Sequence, residues 1–297
     1  MARFEFQIEE TFHRKRLDDF LFNEFRSMSK AYLRRVVKEG NCEVNGYIEN
    51  SGKVLKSKDF VEVEVDIDQE KGMKAEEIPL AIVYEDSEIL IVDKAAGMLV
   101  HPTNFERNGT LLNGLTHYLN RNRAPDEEFI RPHLIHRLDR ETSGLMLIAT
   151  NAKASKTLSE HFKRKLFEKK YIALVDGIVE EDEGIIDAPI GRFEELREWN
   201  VMEDGKLSES RFRVIERFGN RTLIELEAVT GRTNQLRIHC AHIGHPIAGD
   251  TKYGGSEFER MCLHASKLGF WHPRGLGRLH FQSEIPNEFV VTNSAGT

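Results

Sequence analysis

Cysteine is scarce in this sequence, and the little there is lies scattered. The three residues, Cys42, Cys240 and Cys262, are far apart and show none of the paired spacing of a metal site. No disulfide framework is expected, and the plain reading is a reduced, cytoplasmic protein. A run of about eighteen apolar residues is also missing, so no membrane-spanning helix is expected. The first residues, Met1 to Ile8, alternate as a strand does and lack the pattern of a secretory leader. Positive charge is short as well: the 297 residues carry a formal net charge of −7. Taken over the whole chain, that figure argues against a nucleic-acid partner. A local basic patch, which is what phosphate binding needs, can hide inside it.

Such a patch is present near the start. Between residues 13 and 58 there are eleven Lys and Arg against six Asp and Glu, an excess of five. Apolar residues at helical spacing around Leu17, Phe20 and Leu21 predict one helix. Ser27-Met28-Ser29-Lys30 predicts the start of another, with Ser29 as its cap. Along that second helix Tyr32, Leu33, Val36 and Val37 fall on an inner face, and Lys30, Arg34, Arg35 and Lys38 on an outer one. Gly40 stops it. Asn45-Gly46 is a hairpin signal, and Val61 to Val65 alternates as a closing strand. A basic helix face is either solvated or turned to phosphates. With 40% hydrophobic residues the chain can hold one large and one small domain. The boundaries expected are 1–66 for the small domain, a charged linker over 67–77, and a second domain over 78–297.

The second domain opens on two apolar strands, Ile82 to Asp86 and Ile89 to Asp93. Lys94 follows them, as a phosphate contact or as an exposed turn residue. Thr110 caps a helix with Leu111, Leu112, Leu115 and Leu119 on one face. A later helix, from about Lys153, buries Leu158, Phe162 and Leu166 and ends on Lys163, Arg164, Lys165, Lys169 and Lys170. The strand Tyr171 to Val175 comes next. Between these two helices lies His136-Arg137-Leu138-Asp139-Arg140-Glu141-Thr142-Ser143-Gly144, ahead of a buried strand at Leu145 to Ala149. Asp139 has Arg131, Arg137 and Arg140 close in sequence, and cations that near favour the ionised carboxylate. Such an acid, on a loop carried by a rigid strand, suits a nucleophile, a charge stabiliser or a plain surface ion pair. Near the end, Gly231-Arg232-Thr233-Asn234-Gln235-Leu236-Arg237-Ile238-His239 predicts a turn and a helix. Thr233 is its expected cap, and Leu236, Cys240 and Ile243 face inward.

The nine residues His136 to Gly144 resemble the signature of the pseudouridine synthases that modify large-subunit ribosomal RNA and some tRNAs. Further blocks match the same family: Lys169 to Gly177, Gly231 to His239, Gly244 to Gly254, and Leu263-His264-Ala265. The resemblance runs from about residue 80 to the C-terminus. Residues 13–58 resemble the RNA-binding domain first known from a small-subunit ribosomal protein. Four positions depart from the family: Ala95 stands in place of a proline, Asn234 in place of a histidine, and in Gly205 to Ser210 the small residues Ser208 and Ser210 stand in place of an alanine and a threonine.

The resemblance implies an α+β fold, a mixed and largely antiparallel sheet with flanking helices and a central cleft, plus the small α+β RNA-binding domain. It implies isomerisation of uridine to pseudouridine within RNA, with Asp139 as the essential residue. Tyr171 would lie against the uracil and take part in proton removal from C5. Arg237 would pair with Asp139, and Arg137 would enter the space left by the displaced base. Arg140, Lys30, Arg34, Arg35 and Lys38 complete the expected RNA contacts. Nothing is oxidised and no group is imported, so no cofactor is chemically required.

His239, His242 and His245 do not share one helix face, so no metal site is expected. The partner expected is RNA, ribosomal first and transfer RNA second, for a monomeric protein with no membrane contact. The rival reading is an RNA-binding assembly factor whose catalytic centre has decayed, with Ala95 and Asn234 as its support. A metal-dependent RNA hydrolase lacks a ligand set.

Overall fold

The structure is a computed structural model and describes residues 2–25, 28, 30–66, 74–103, 105–124, 127, 129–193 and 198–290. The expected cap Ser29, and residues 67–73 of the expected linker, lie outside the described residues. The chain divides into two compact units, Met1–Ile78 with Phe105–Arg131, and Pro79–Asn104 with Pro132–Thr297. The sequence boundary leaves 105–131 in the second domain, whereas the compact units group it with the first.

In the first unit, strands β1 (Ala2–Gln7), β2 (Cys42–Val44), β3 (Tyr47–Ile48) and β4 (Phe60–Val65) form an antiparallel sheet in the order β1-β4-β2-β3. Asn45 and Gly46 both adopt positive φ, 54° and 79°. That pair of left-handed residues makes the β2–β3 turn, and Asn and Gly tolerate it best. Helices α1 (Leu17–Glu24) and α2 (Lys30–Lys38) supply Leu17, Phe20, Leu21, Tyr32, Leu33, Val36 and Val37 to one core with Val44, Val61, Val63 and Val65. The inner face of α2 is the one its spacing predicts. Helix α3 (Leu111–Asn120) starts on a capping box, in which the Thr110 hydroxyl accepts from Asn113 N–H.

The second unit is built on a ten-stranded sheet. Its strands include β5 (Ala81–Glu85), β6 (Ile89–Lys94), β7 (His133–Leu134), β8 (Ser143–Ala149), β9 (Glu168–Asp176) and β10 (Glu183–Asp187). A separate two-stranded ribbon, β11 (Ile190–Phe193) and β12 (Glu198–Val201), follows. Strands β13 (Glu209–Phe218), β14 (Arg221–Ala228), β15 (Leu263–Trp271) and β16 (Arg278–Gln282) complete the large sheet. Its order is β10-β13-β14-β9-β15-β8-β6-β5, with β16 beside β15 and β7 beside β8. Among the described residues the pairing is antiparallel except at β8 and β15, where Ser143 and Gly144 lie parallel to His264 and Ala265. Gly144 has φ 115°, and a Cβ there would sit 2.4 Å from the Ala265 carbonyl oxygen. Only glycine allows so close an approach of two backbones. The arrangement is the α+β, mixed and largely antiparallel fold expected.

Helix α4 (Ala152–Lys163) packs Ala154 and Leu158 on β8 and is capped by Asn151. It ends sooner than the repeat of apolar residues predicts. Leu166 lies beyond it and is 40% exposed, and Lys169 and Lys170 belong to β9, not to a basic helix end. Lys165 explains the stop: its φ of 55° turns the chain out of the helix. Among the described residues no helix is long and apolar enough to cross a membrane.

Candidate active site

The loop from Ile135 to Thr142 carries Asp139 into β8. Two neighbouring side chains hold it. Leu138 is buried beneath it, and a turn closes where Thr142 N–H donates to the Asp139 carbonyl at 3.2 Å. His136 Nε2 accepts from Leu147 N–H at 3.1 Å, so the ring ties the loop to the middle of β8. Burial pushes that imidazole down to about 3, which keeps it a neutral acceptor.

The third support is Lys94, and it corrects both sequence readings of that residue. Its side chain is 1% exposed, so it is neither a surface turn residue nor free to meet a phosphate. Its ammonium donates to the carbonyls of Ala95 at 2.8 Å, Met98 at 3.0 Å and Arg140 at 2.9 Å. Three donors meet three acceptors, which satisfies a buried cation. Burial pulls Lys94 down to about 8, against the pull of Glu141 and Asp139. Gly97 N–H also donates to the Arg140 carbonyl at 2.9 Å. The turn containing Ala95 is thereby fastened to the residue after Asp139.

Arg237 faces Asp139 from α5 (Gln235–His242), its Nη1 3.6 Å from Asp139 Oδ2. Its stronger partner is Asp250, a residue the sequence reading leaves without a role. Nε and Nη2 of Arg237 donate to the two Asp250 oxygens, both at 2.7 Å. Asp250 is 2% exposed and Arg237 lies 5.0 Å over the Tyr253 ring. A bidentate pair fixes both position and rotation of a guanidinium, leaving its outer nitrogen aimed at Asp139.

Helix α5 does not start as the sequence predicts. Its N-cap is Asn234, in the left-handed region at φ 54°, and no side chain caps the end there. Gln235 organises the turn in place of Thr233. Its amide oxygen accepts from Thr230 Oγ1 at 2.7 Å and Arg232 N–H at 3.0 Å, and its nitrogen donates to Glu209 O at 2.8 Å and Ser210 Oγ at 3.0 Å. The family-departing Asn234 donates to Tyr253 Oη at 3.0 Å, and Tyr253 donates on to Trp199 O at 3.1 Å.

Tyr171 sits on β9 opposite Leu226 and Ala265. Burial, with the Asp139 charge adding to it, pushes the phenol up to about 12. The structure thus brings Asp139, Arg237 and Tyr171 into one neighbourhood. Arg137 and Arg140 are exposed on the Asp139 loop. Arg131, expected beside Asp139, instead belongs to the first unit. It donates to Met28 O at 2.9 Å and lies 4.9 Å over the Phe22 ring. On α2, Arg34 pairs with Asp18 at 2.7 Å and Lys30 with Asp19 at 2.9 Å, while Arg35 and Lys38 are exposed, Arg35 stacked over Tyr32.

Signals for the missed residues were partly present. Asp250 falls inside a block that resembles the family and Lys94 lies beside the departing Ala95, but Asp250 meets Arg237 thirteen residues away and the Lys94 cradle is closed by the distant Arg140 carbonyl. No local pattern announces a bidentate pair or a lysine turned onto carbonyls.

Comparison with known proteins identifies the family. Residues 88–242 match the family model described as RNA pseudouridylate synthase. An RNA pseudouridine synthase of Bacillus subtilis, named as uncharacterized, is 38% identical over 93% of this chain and 92% of its own length. The ribosomal large subunit pseudouridine synthase D of Pseudomonas aeruginosa is 34% identical over 93% of this chain and 90% of its own. Among solved structures, human RNA pseudouridylate synthase domain containing 1 superposes with a TM-score of 0.59 at 27% identity, covering 69% of this chain and 83% of that one. With a family model spanning half its length and relatives matched almost end to end, the chain belongs to the RNA pseudouridine synthases, among relatives of the large-subunit ribosomal type.

Proposed function

We propose that this enzyme converts specific uridines of large-subunit ribosomal RNA to pseudouridine, with Asp139 as the acting carboxylate. The observation that carries the reading is the Asp139–Arg237–Asp250 arrangement, a partly exposed acid facing a cation already locked by a buried second acid. The reaction breaks the N1–C1′ bond, rotates the uracil and joins C5 to C1′. C5 loses a proton and N1 gains one, so atoms balance without a cofactor. A paired uridine leaves its stack first, and Arg137 fills the space it vacates.

Tyr171 lies flat to the base and stacks on it, a contact worth roughly 1–3 kcal/mol. A phenol raised to about 12 is protonated at neutral pH. It therefore takes the C5 proton only while releasing its own, and the step balances because N1 gains one proton in the reaction. Arg140 steadies the RNA at the loop. The exposed cations of α2, Arg35 and Lys38 with the paired Lys30 and Arg34, meet phosphates through the small domain. The decayed-factor alternative draws only on Ala95 and Asn234, and both are built into hydrogen-bonded turns here.

The product assay is direct. Purified protein incubated with large-subunit ribosomal RNA should form pseudouridine at discrete positions, leave RNA length unchanged and resist a chelator. Conversion confined to tRNA would overturn the substrate assignment, and no conversion of any RNA would overturn the reaction.

Tyr171→Phe should bind RNA within about twofold of wild type yet lose at least about a hundredfold in single-turnover rate, the range of positioned proton transfer. A near-normal rate would leave Tyr171 with stacking alone.

Arg35→Ala with Lys38→Ala should flatten the plot of log affinity against log salt by about 1.4–1.8, two contacts at roughly 0.7–0.9 each. An unchanged slope would remove α2 from the RNA interface.

A further inference from the structure

The loop that carries Asp139 has a downstream root at Ser143, and a chain of polar side chains converges there from strands β6, β8 and β15 and from the segments that carry Arg260, Ser283 and Glu288. Ser143 Oγ lies 2.8 Å from His264 Nδ1, and His264 Nε2 lies 2.9 Å from Ser283 Oγ. Ser283 donates in turn to Asp93 through a short hydrogen bond. At the other end, Arg260 Nη1 donates to Ser143 Oγ at 3.0 Å, and Glu288 holds Arg260 at 2.6 Å. None of these six residues takes part in the Arg237–Asp250 pair.

The protons of this chain have one consistent arrangement. Ser283 has a single hydroxyl proton and gives it to the Asp93 carboxylate. Its oxygen can then only accept from His264, so Nε2 carries the imidazole proton. A neutral imidazole protonated at Nε2 has a bare Nδ1, which accepts from the Ser143 hydroxyl. The Ser143 oxygen is left to accept from Arg260. Every donor points the same way, from the Arg260 cation to the Asp93 carboxylate. Burial pushes His264 below its ordinary value, against Asp93 and with Arg260, in keeping with the neutral form. Glu288 is the remaining charged group that acts on it.

The chain sits where register matters. Ser143 and His264 are paired residues of the β8–β15 contact, the parallel one, which spans two residue pairs. Two pairs are a weak ladder for the strand that ends the catalytic loop. Gly144 against Ala265 sets how close the strands come, and the Ser143–His264 bond sets how Ser143 lies along β15. Asp139 is four positions upstream, joined through the turn from Thr142 N–H to its own carbonyl.

We infer that His264 is a positioning residue for pseudouridine formation, acting through the Arg260–Ser143–His264–Ser283–Asp93 chain to hold Asp139 at its working place. The inference rests on Asp139 as the acting carboxylate. Its origin is geometric: the chain touches no part of the Asp139 side chain, yet it fixes the strand from which that side chain is presented. A displacement of about 1 Å at a reacting group can cost on the order of a hundredfold in rate.

The test uses Ser283→Ala, Ser283→Thr and His264→Gln in the full-length protein. Each is assayed for folding, RNA affinity and single-turnover rate at saturating ribosomal RNA. Ser283→Ala removes the acceptor of Nε2, and His264→Gln removes the acceptor of Ser143. Both should lower the rate between about ten- and a hundredfold with RNA affinity within about twofold of wild type. Ser283→Thr keeps the hydroxyl and should recover the rate to within about threefold of wild type. The double variant should be little slower than either single one, because one chain is broken once. Wild-type rates in folded Ser283→Ala and His264→Gln would overturn the inference, as would a threonine no better than alanine, or losses that multiply. If wild-type protein itself makes no pseudouridine, the reading of Asp139 fails, and that outcome is separate from failure of the chain.

Discussion

The site depends on how Arg237 divides itself. Two of its nitrogens are committed to Asp250 at 2.7 Å, and a third looks toward Asp139 at 3.6 Å. A guanidinium this buried needs a counter-charge, and Asp250 supplies it in full. The core ion pair is therefore complete whether Asp139 is charged, protonated or engaged with RNA. Breaking such a buried pair leaves an uncompensated charge, at about 3–5 kcal/mol. A lone Asp139–Arg237 pair would tie the charge of Asp139 to the stability of the fold. With Asp250 present the two are separated. Tyr253, under the guanidinium, and Asn234, bonded to the Tyr253 hydroxyl, extend the same support outward.

What the sequence makes legible is what short-range physics controls. Alternation gives β4, helical spacing gives the inner face of α2, and Asn45-Gly46 gives a turn whose two residues are both left-handed. Asp139, Tyr171 and Arg237 come from resemblance to a family, and the structure gathers them. The misses are of a different kind. Lys94 reads as a surface residue because lysine usually is one. Its burial follows from three carbonyls brought together by two turns, which no local window contains. Thr233 reads as a cap because of its position before a helix, but Gln235 already satisfies that turn with four hydrogen bonds. Leu166 continues an apolar repeat after the backbone has left the helix at Lys165.

Asn234 and Ala95, two of the departures from the family pattern, show how substitution can be absorbed. Asn is among the few non-glycine residues that accept a left-handed backbone, and Asn234 uses that conformation. Its amide then finds a phenol. Ala95 gives up the fixed φ of a proline, and the turn is closed instead by Lys94, which bonds the Ala95 and Met98 carbonyls. Neither position leaves Asp139 without support.

The account stands on the carboxylate of Asp139 doing chemistry, with its neighbours holding it in place. The most direct measurement is pseudouridine formed per folded, RNA-bound molecule of Asp139→Asn. Asparagine keeps the size and much of the hydrogen bonding and removes the charge. Product should fall by at least about a thousandfold, some 4 kcal/mol in the barrier, while RNA binding persists through phosphate contacts elsewhere. Substantial turnover by the folded, RNA-bound asparagine variant would contradict the account.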